Sequence, residues 1–143
     1  MNRPGRLTQM PEAGYRASFA RTFTDGDVAL FIGATWDVHP LHTDENYARA
    51  SRFGRRIVPG LLTASLGTHI GGLWAFVAQE MSFRFLAPVY VGDTITITME
   101  VVESDAVKAR LRMEGWGVNQ DGVEVLRAQV SGYLPGELRA GKQ

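Results

Sequence analysis

Apolar and polar residues alternate along four stretches in the second half of the chain, and more loosely over residues 15–23. Alternation with a period of two is typical of a β-strand that buries one face. The residues Asn119-Gln120-Asp121-Gly122 predict a hairpin turn between the last two stretches. The predicted strands cover 15–23, at an edge, and then 81–87, 94–103, 107–118 and 123–134.

A different spacing precedes these strands. Apolar residues recur at helical intervals between residues 59 and 78, and no charged residue occurs from Leu61 to Gln79. A helix that is apolar or small nearly all round is buried on most sides. We therefore predict one long, buried central helix over about 59–78, with His69 packed and hydrogen-bonded inside it.

Two shorter helices are predicted nearer the N-terminus. Thr24, followed three residues later by Asp27, is a variant of the capping box and predicts a helix over about 25–34. Thr43 is placed to cap a second helix over 44–50. Between them, the segment 37–42 contains a proline and is expected to be a constrained loop, a suitable place for functional side chains.

These elements together predict an α+β domain in which a curved antiparallel sheet wraps around the central helix. The 143 residues fit one domain over 1–143. Its ends, about 1–14 and 135–143, are rich in polar residues, glycine and proline, and we expect them to be loosely ordered.

The composition of the chain argues against several classes of function. The chain carries 15 basic and 15 acidic residues, so no net field favours nucleic acid or an anionic membrane. It has no cysteine, which excludes disulfides and thiolate chemistry. No apolar run approaches the ~20 residues that a membrane span requires, and no signal peptide is recognisable. A soluble cytoplasmic protein, with neither nucleic acid nor membrane as a partner, is expected.

The residues suited to chemistry lie close together in the sequence. Asp37 and His42 flank a proline turn, and His39 lies between them. A carboxylate and an imidazole in one loop can act as an acid–base pair. A two-histidine, one-carboxylate metal site is the alternative, but the spacing is not diagnostic and we expect no metal.

Two motifs give these residues a family context, namely Asp37-Val38-His39-Pro40-Leu41-His42 and Ile57-Val58-Pro59-Gly60-Leu61-Leu62-Thr63-Ala64-Ser65. In order and separation they resemble the MaoC-like, (R)-specific enoyl-CoA hydratases, which have the hotdog fold. The resemblance covers roughly residues 22–134. Two positions depart from the family pattern: His39 stands where asparagine is usual, and Pro59 stands where histidine is frequent.

The resemblance implies hydration of a trans-2-enoyl thioester to an (R)-3-hydroxyacyl thioester, or the reverse dehydration, by a hydro-lyase. It makes Asp37 the general base and His42 the group that orients the water. The Gly60 N–H would stabilise the thioester oxygen as an oxyanion hole, and a hydroxyl on the helix would hold Asp37 in place. The further residues assigned are Thr68 or, as a substitute, Ser65 for that hydroxyl, His39 and Pro59 as pocket walls, and Arg52, Arg55 and Arg56 as candidate phosphate contacts.

The resemblance also implies a homodimer, with higher association open, and no cofactor beyond coenzyme A within the substrate. Three other functions remain open. One is an acyl thioesterase on the same fold, although the helix has no carboxylate. Another is a catalytically degenerate subunit that binds acyl thioesters. The third is a dehydratase that acts on carrier-protein thioesters.

Overall fold

A five-stranded antiparallel sheet forms the body of the molecule in the computed structural model, which describes residues 4–136. The spatial order of the strands is β1-β3-β4-β5-β2. All the predicted strands are present, and the hairpin between the last two is confirmed by their antiparallel pairing. The strands are β1 Arg16–Thr22, β2 Val77–Phe85, β3 Thr94–Asp105, β4 Arg110–Val118 and β5 Glu124–Tyr133.

One face of the sheet forms the core. On β3, Ile95, Ile97, Met99 and Val101 are buried, while the threonines between them are only partly covered. The same alternation continues on β4 and β5, where Leu111, Met113, Leu126 and Val130 are buried. The period-two pattern therefore specified both the strands and the face that packs against the helices.

Three helical segments connect β1 to the central helices: α1 Asp25–Thr35, α2 Pro40–Thr43 and α3 Glu45–Ala50. The capping box is confirmed, since Thr24 and Asp27 bond each other's backbone N–H groups. The prediction that Thr43 caps the next helix is wrong by one residue, because Asp44 accepts the N–H groups of Asn46 and Tyr47. The predicted loop also contains α2, which Pro40 opens and the His39 side chain caps.

The single long helix predicted over about 59–78 is incorrect. It is two short helices, α4 Gly60–Ala64 and α5 Gly67–Leu73, and strand β2 already begins at Val77. The hydroxyls of Ser65 and Thr68 each donate to a carbonyl three residues earlier, which competes with regular helical bonding. Glycines in α5 weaken it further. Ala75, at φ 54°, then turns the chain into the strand.

The central helices are also less enclosed than predicted. Ile70 and Trp74 are fully buried against the sheet, but Thr68 and His69 are exposed. The prediction of a buried His69 is wrong, since its ring stacks on Phe19 of β1 with 4.0 Å between centroids. The pattern of small and apolar residues in this segment reflects a cavity beside α5 rather than complete burial of the helix.

The described part of the N-terminal segment, residues 4–14, has no helix or strand, yet Leu7 and Met10 pack against the core. Residues 1–3 and 137–143, which belong to the predicted loose ends, lie outside the described residues. Among the described residues, no helix has the length and apolar character needed to cross a membrane.

Candidate active site

Asp37 is positioned by the end of α1. Trp36 terminates that helix in a left-handed conformation, at φ 58°, and its N–H bonds the Ile32 carbonyl. A bulky residue in this conformation is strained, and such strain is found most often at functional sites. The Asp37 N–H donates to the Thr35 hydroxyl at 3.2 Å, and its Oδ1 accepts the His39 N–H at 3.3 Å. The second carboxylate oxygen is left free to face His42.

His42 lies on α2 and is held by the chain that leads into α4. Its Nδ1 is 2.8 Å from the Ile57 carbonyl oxygen, and the Ile57 N–H donates to the Leu41 carbonyl at 3.1 Å. A carbonyl can only accept, so Nδ1 carries the proton in this bond. In the neutral ring, Nε2 is then an acceptor, and it is the atom that faces Asp37.

The Nε2 of His42 and the Oδ2 of Asp37 are 3.7 Å apart. The His42 side chain is 12% exposed and that of Asp37 is 43% exposed, so the pair lies at the boundary between protein and solvent. With His42 neutral, both facing atoms are acceptors. One water that donates a proton to each atom satisfies both, and this arrangement can remove a proton from that water.

A cavity of about 480 Å³ contains this pair. Of the residues predicted for the site, Asp37, His42, Arg52, Pro59 and Gly60 line it. The rest of the wall is mostly apolar and is formed by Phe53, Ile57, Val58, Leu61, Thr63, Phe85, Leu86, Ala87, Pro88, Val89 and Val125. A cavity of this size with few polar groups is typical of a small-molecule site.

The two predicted pocket-wall residues differ in position. Pro59 is fully buried and lines the cavity. His39 is exposed and does not line it; its Nδ1 accepts the Leu41 N–H at 3.1 Å and so caps α2. The assignment of His39 as a pocket wall is therefore corrected. Histidine can replace the family's asparagine here because either side chain can accept this capping bond.

Gly60 is the first residue of α4, where backbone N–H groups have no helical acceptor. A Cβ at this position would lie 2.9 Å from the Phe85 ring. Glycine therefore allows that ring to close against the start of the helix and shape the cavity. The oxyanion role predicted for the Gly60 N–H stays a prediction.

Thr68 and Ser65 line a second cavity, of about 530 Å³, between α5 and the sheet. The Thr68 hydroxyl donates to the Ser65 carbonyl at 2.6 Å, and the Ser65 hydroxyl donates to the Leu62 carbonyl at the same distance. Neither hydroxyl bonds Asp37. Within one chain, the structure therefore does not show the predicted helix hydroxyl that holds Asp37. Leu61 lines both cavities.

The three arginines have separate environments. Arg56 donates to Asp25, to Glu45 and to the His42 carbonyl, and its hydrogen bonds, first to Asp25 and then to Glu45, raise the pKa of the guanidinium. Arg56 is therefore a structural clamp beside His42, which corrects its assignment as a phosphate contact. Arg55 stacks on Tyr90, whereas Arg52 lies over Phe53 at the cavity.

No group of three or more histidines and carboxylates suited to a metal ion occurs within residues 4–136. Asp37, His39 and His42 do not converge, because His39 is used to cap α2. The metal-site alternative is therefore unsupported by the geometry of these residues.

Sequence reasoning missed two contributors to the site. The Ile57 carbonyl fixes the His42 ring, and a backbone acceptor leaves no signal in side-chain patterns. Thr63 lines the cavity although it is only 2% exposed. The available signal was a third hydroxyl in the central segment, beside those of Ser65 and Thr68.

Known proteins resemble this chain in sequence and in structure. The profile of the MaoC-like domain matches residues 6–120. An (R)-specific enoyl-CoA hydratase of Rhodospirillum rubrum is 40% identical over 93 residues, which are 62% of this chain and 64% of that protein. The aligned region thus spans less than two thirds of that relative. A 3-hydroxyacyl-[acyl-carrier-protein] dehydratase of Solanum lycopersicum is 32% identical over 123 residues, 81% of this chain and 73% of that protein.

Among solved structures, the (R)-hydratase of A. caviae involved in PHA biosynthesis superposes with a TM-score of 0.83. It is 30% identical, and the match covers 90% of this chain and 100% of that one. The predicted α+β hotdog architecture is therefore confirmed, with the central helix divided as described above.

Proposed function

This chain belongs to the family of MaoC-like domains, and from that membership we propose that it is a hydro-lyase. The reaction is addition of water to a trans-2-enoyl-CoA to give an (R)-3-hydroxyacyl-CoA, or the reverse dehydration. The single observation that carries the proposal is the Asp37–His42 pair, 3.7 Å apart in one cavity with the His42 ring fixed by Ile57. Relatives named as hydratases and dehydratases support it.

In the proposed mechanism, one water lies between Asp37 and the Nε2 of His42. As the water oxygen bonds to Cβ of the substrate, one of its protons passes to the Asp37–His42 pair. The pair then returns a proton from the same side to Cα, which gives syn addition and restores both groups. The bond from Nδ1 to Ile57 keeps Nε2 directed at the water throughout. Only water and protons are exchanged, so the proposal includes no cofactor beyond the coenzyme A carried by the substrate.

Negative charge develops on the thioester oxygen as an enolate forms. A donor directed at that oxygen lowers the barrier, because it acts on charge that grows in the transition state. We assign this task to the Gly60 N–H, at the wall of the same cavity.

The second cavity is the proposed place for the acyl chain. Its walls are nearly all apolar, and it shares the lining residue Leu61 with the catalytic cavity. At the catalytic cavity, the Arg52 guanidinium is the remaining candidate for contact with a phosphate of coenzyme A. Together these features assign the two ends of an acyl-CoA to different parts of the molecule.

A second copy of the chain is the proposed partner. Strand β2 is at the edge of the sheet and carries Val77, Met81 and Phe85, all more than a third exposed. An apolar edge strand favours pairing with another strand, which would extend the sheet across a homodimer. Leu61 lines both cavities and its side chain is exposed, so a partner that covers Leu61 would also complete their walls.

The test follows the enoyl absorbance and the release of free thiol in parallel, with crotonyl-CoA and a medium-chain enoyl-CoA. Loss of absorbance without thiol release, abolished in Asp37→Asn, is the expected result. Thiol release would instead identify a thioesterase. Turnover of a carrier-protein thioester alone would identify the carrier-protein dehydratase. Absence of turnover with every substrate, together with retained binding, would overturn the enzymatic proposal.

A further inference from the structure

Thr63 lines the catalytic cavity, and its buried hydroxyl has no hydrogen-bond partner within the described part of the chain. The residue is 2% exposed and lines the cavity with Asp37 and His42. Within the described residues, 4–136, its Oγ1 has no hydrogen-bond partner. Buried hydroxyls in folded proteins are nearly always bonded, and an exception needs an explanation such as a ligand or water.

The neighbouring hydroxyls show that a side chain in this segment can find a hydrogen-bond partner in the backbone. Ser65 and Thr68 each donate to the carbonyl three residues before them, at 2.6 Å. The Thr63 hydroxyl makes no such bond, although it too has a backbone carbonyl three residues before it. Leaving a buried hydroxyl unpaired is unfavourable, so a hydrogen bond from it would favour an acceptor that binds in the cavity.

The surroundings of Thr63 are otherwise apolar. The buried residues that line the same cavity are Val58, Pro59, Val89 and Val125, and none carries a polar side chain. Of the residues that line it, His42 has already committed its Nδ1 proton to Ile57, and Arg52 is exposed. The hydroxyl of Thr63 is therefore the uncommitted donor among the buried side chains that line the cavity.

The proposed substrate offers one strong acceptor near the reacting carbons, its thioester carbonyl oxygen. The carbonyl carbon is bonded directly to Cα, so a substrate with Cα and Cβ at the Asp37–His42 pair must bring its carbonyl into the same cavity. On a helix, residues three apart share a face and side chains lean toward the N-terminus, which directs Thr63 toward the turn that begins at Gly60.

We propose that the Thr63 hydroxyl donates a hydrogen bond to the thioester carbonyl oxygen of the bound substrate and is a further catalytic residue. This rests on the proposed hydratase function. The bond is strongest when the oxygen carries the enolate charge, so Thr63 stabilises the transition state more than the ground state. Proton transfer remains with Asp37 and His42.

The test compares Thr63→Val, which keeps the shape and removes the hydroxyl, with Thr63→Ser, which keeps the hydroxyl. Thr96→Val is the matched control, since Thr96 lies on the outer face of β3 and lines neither cavity. Loss of one donor to a developing oxyanion costs on the order of 10²–10³-fold in kcat. We expect a loss on that scale in kcat for Thr63→Val with little change in KM, substantial retention in Thr63→Ser, and no loss in Thr96→Val.

A second measurement does not depend on turnover. In the Asp37→Asn background, infrared difference spectra of a bound enoyl thioester report the carbonyl stretching frequency. A hydrogen bond from Thr63 lowers that frequency, and adding Thr63→Val should return it toward the value in solution. Thermal unfolding of each variant shows that the fold is retained.

The outcomes are distinguishable. If the wild type turns over no enoyl thioester, the proposed function fails. If the wild type is active but Thr63→Val has normal kcat and an unchanged carbonyl frequency, the assignment of Thr63 alone is overturned. A higher melting temperature with unaltered kinetics would identify the hydroxyl as an unpaired structural group.

Discussion

The Nε2 of His42 lies 3.7 Å from the Oδ2 of Asp37, while the opposite nitrogen of the same ring is bonded to the Ile57 carbonyl at 2.8 Å. The first distance is too long for a direct hydrogen bond and suits a bridging water. The second fixes which nitrogen carries the proton. The tautomer of His42 is thus set by the backbone, and the pair is prepared to accept from water.

The pair should be essential for turnover and dispensable for folding. We expect Asp37→Asn and His42→Ala to lower kcat by about 10²–10⁴-fold, the usual scale for positioned acid–base groups. Asn can still accept the His39 N–H, so the local turn is kept. Steady-state rates with crotonyl-CoA, together with circular dichroism, check this. Near-normal rates in two folded variants would sink the mechanism.

Two neighbouring arginines should have different effects. Arg52→Ala should raise KM for a coenzyme A substrate by a few-fold at low salt, and less at high salt, because screening weakens contacts with phosphate. Arg56→Ala should instead lower the free energy of unfolding by about 1 kcal/mol, because Asp25 and Glu45 lose their shared partner. Salt-dependent kinetics and urea denaturation of both variants distinguish the roles, and a reversal of the two effects would refute them.

The cavity beside α5 should set the length of the acyl chain. A Cβ at Gly71 meets no atom within 4 Å, so Gly71→Leu can fill the cavity without moving the backbone. We expect kcat/KM to fall for medium-chain enoyl-CoA and to change little for crotonyl-CoA. Gly33→Leu, on α1 and outside both cavities, is the control for the gain in helix propensity. Equal effects on both chain lengths would argue against this location for the chain.

The capping box should make stability depend on pH. The Thr24 N–H donates to Asp27 and holds the pKa of this carboxyl below its ordinary value. The resulting stabilisation is complete above the ordinary carboxyl pKa and is lost as pH falls through the lowered folded value. Asp27→Asn should therefore cost about 0.5–1 kcal/mol at neutral pH. In urea titrations, its deficit should shrink on acidification; a deficit independent of pH would contradict this account.

The apolar edge of the sheet should control assembly. Met81 is 49% exposed on β2, and Met81→Lys places a charge where a second strand would pair. We expect the wild type to sediment as a dimer and the variant to shift toward monomer. Val107→Lys is the control, because Val107 is exposed in the connection between β3 and β4. A monomeric wild type would rule out the proposed dimer.

The sheet was predictable because one face of each strand is buried, and this burial places apolar residues at alternate positions in the sequence. Ile95, Ile97, Met99 and Val101 face the core, and the sequence displays them at every second position. Thr24 and Asp27 were equally readable, since a capping box involves only neighbouring residues. Asp37, His42 and Gly60 line one cavity, and it was the sequence motifs that predicted this grouping, since no periodicity relates the three residues.

The central helix was mispredicted because the same small residues suit a buried helix and a helix beside a cavity. Small residues such as Gly71 and Ser65 contributed to the prediction of a buried helix, whereas both line open space. Arg56 was grouped with Arg52 by proximity in sequence, although its carboxylate partners come from α1 and α3. Such long-range pairing leaves no trace in a local pattern.

Leu61 is the residue that both cavities have in common. On one side of it lie the groups proposed for the chemistry, on the segments from α1 to α4; on the other lie α5 and the inner face of the sheet. Evolution can therefore remodel the second wall and change which acyl groups are accepted, while the reacting centre is inherited intact. A scaffold divided in this way can supply many substrate preferences from one ancestral reaction.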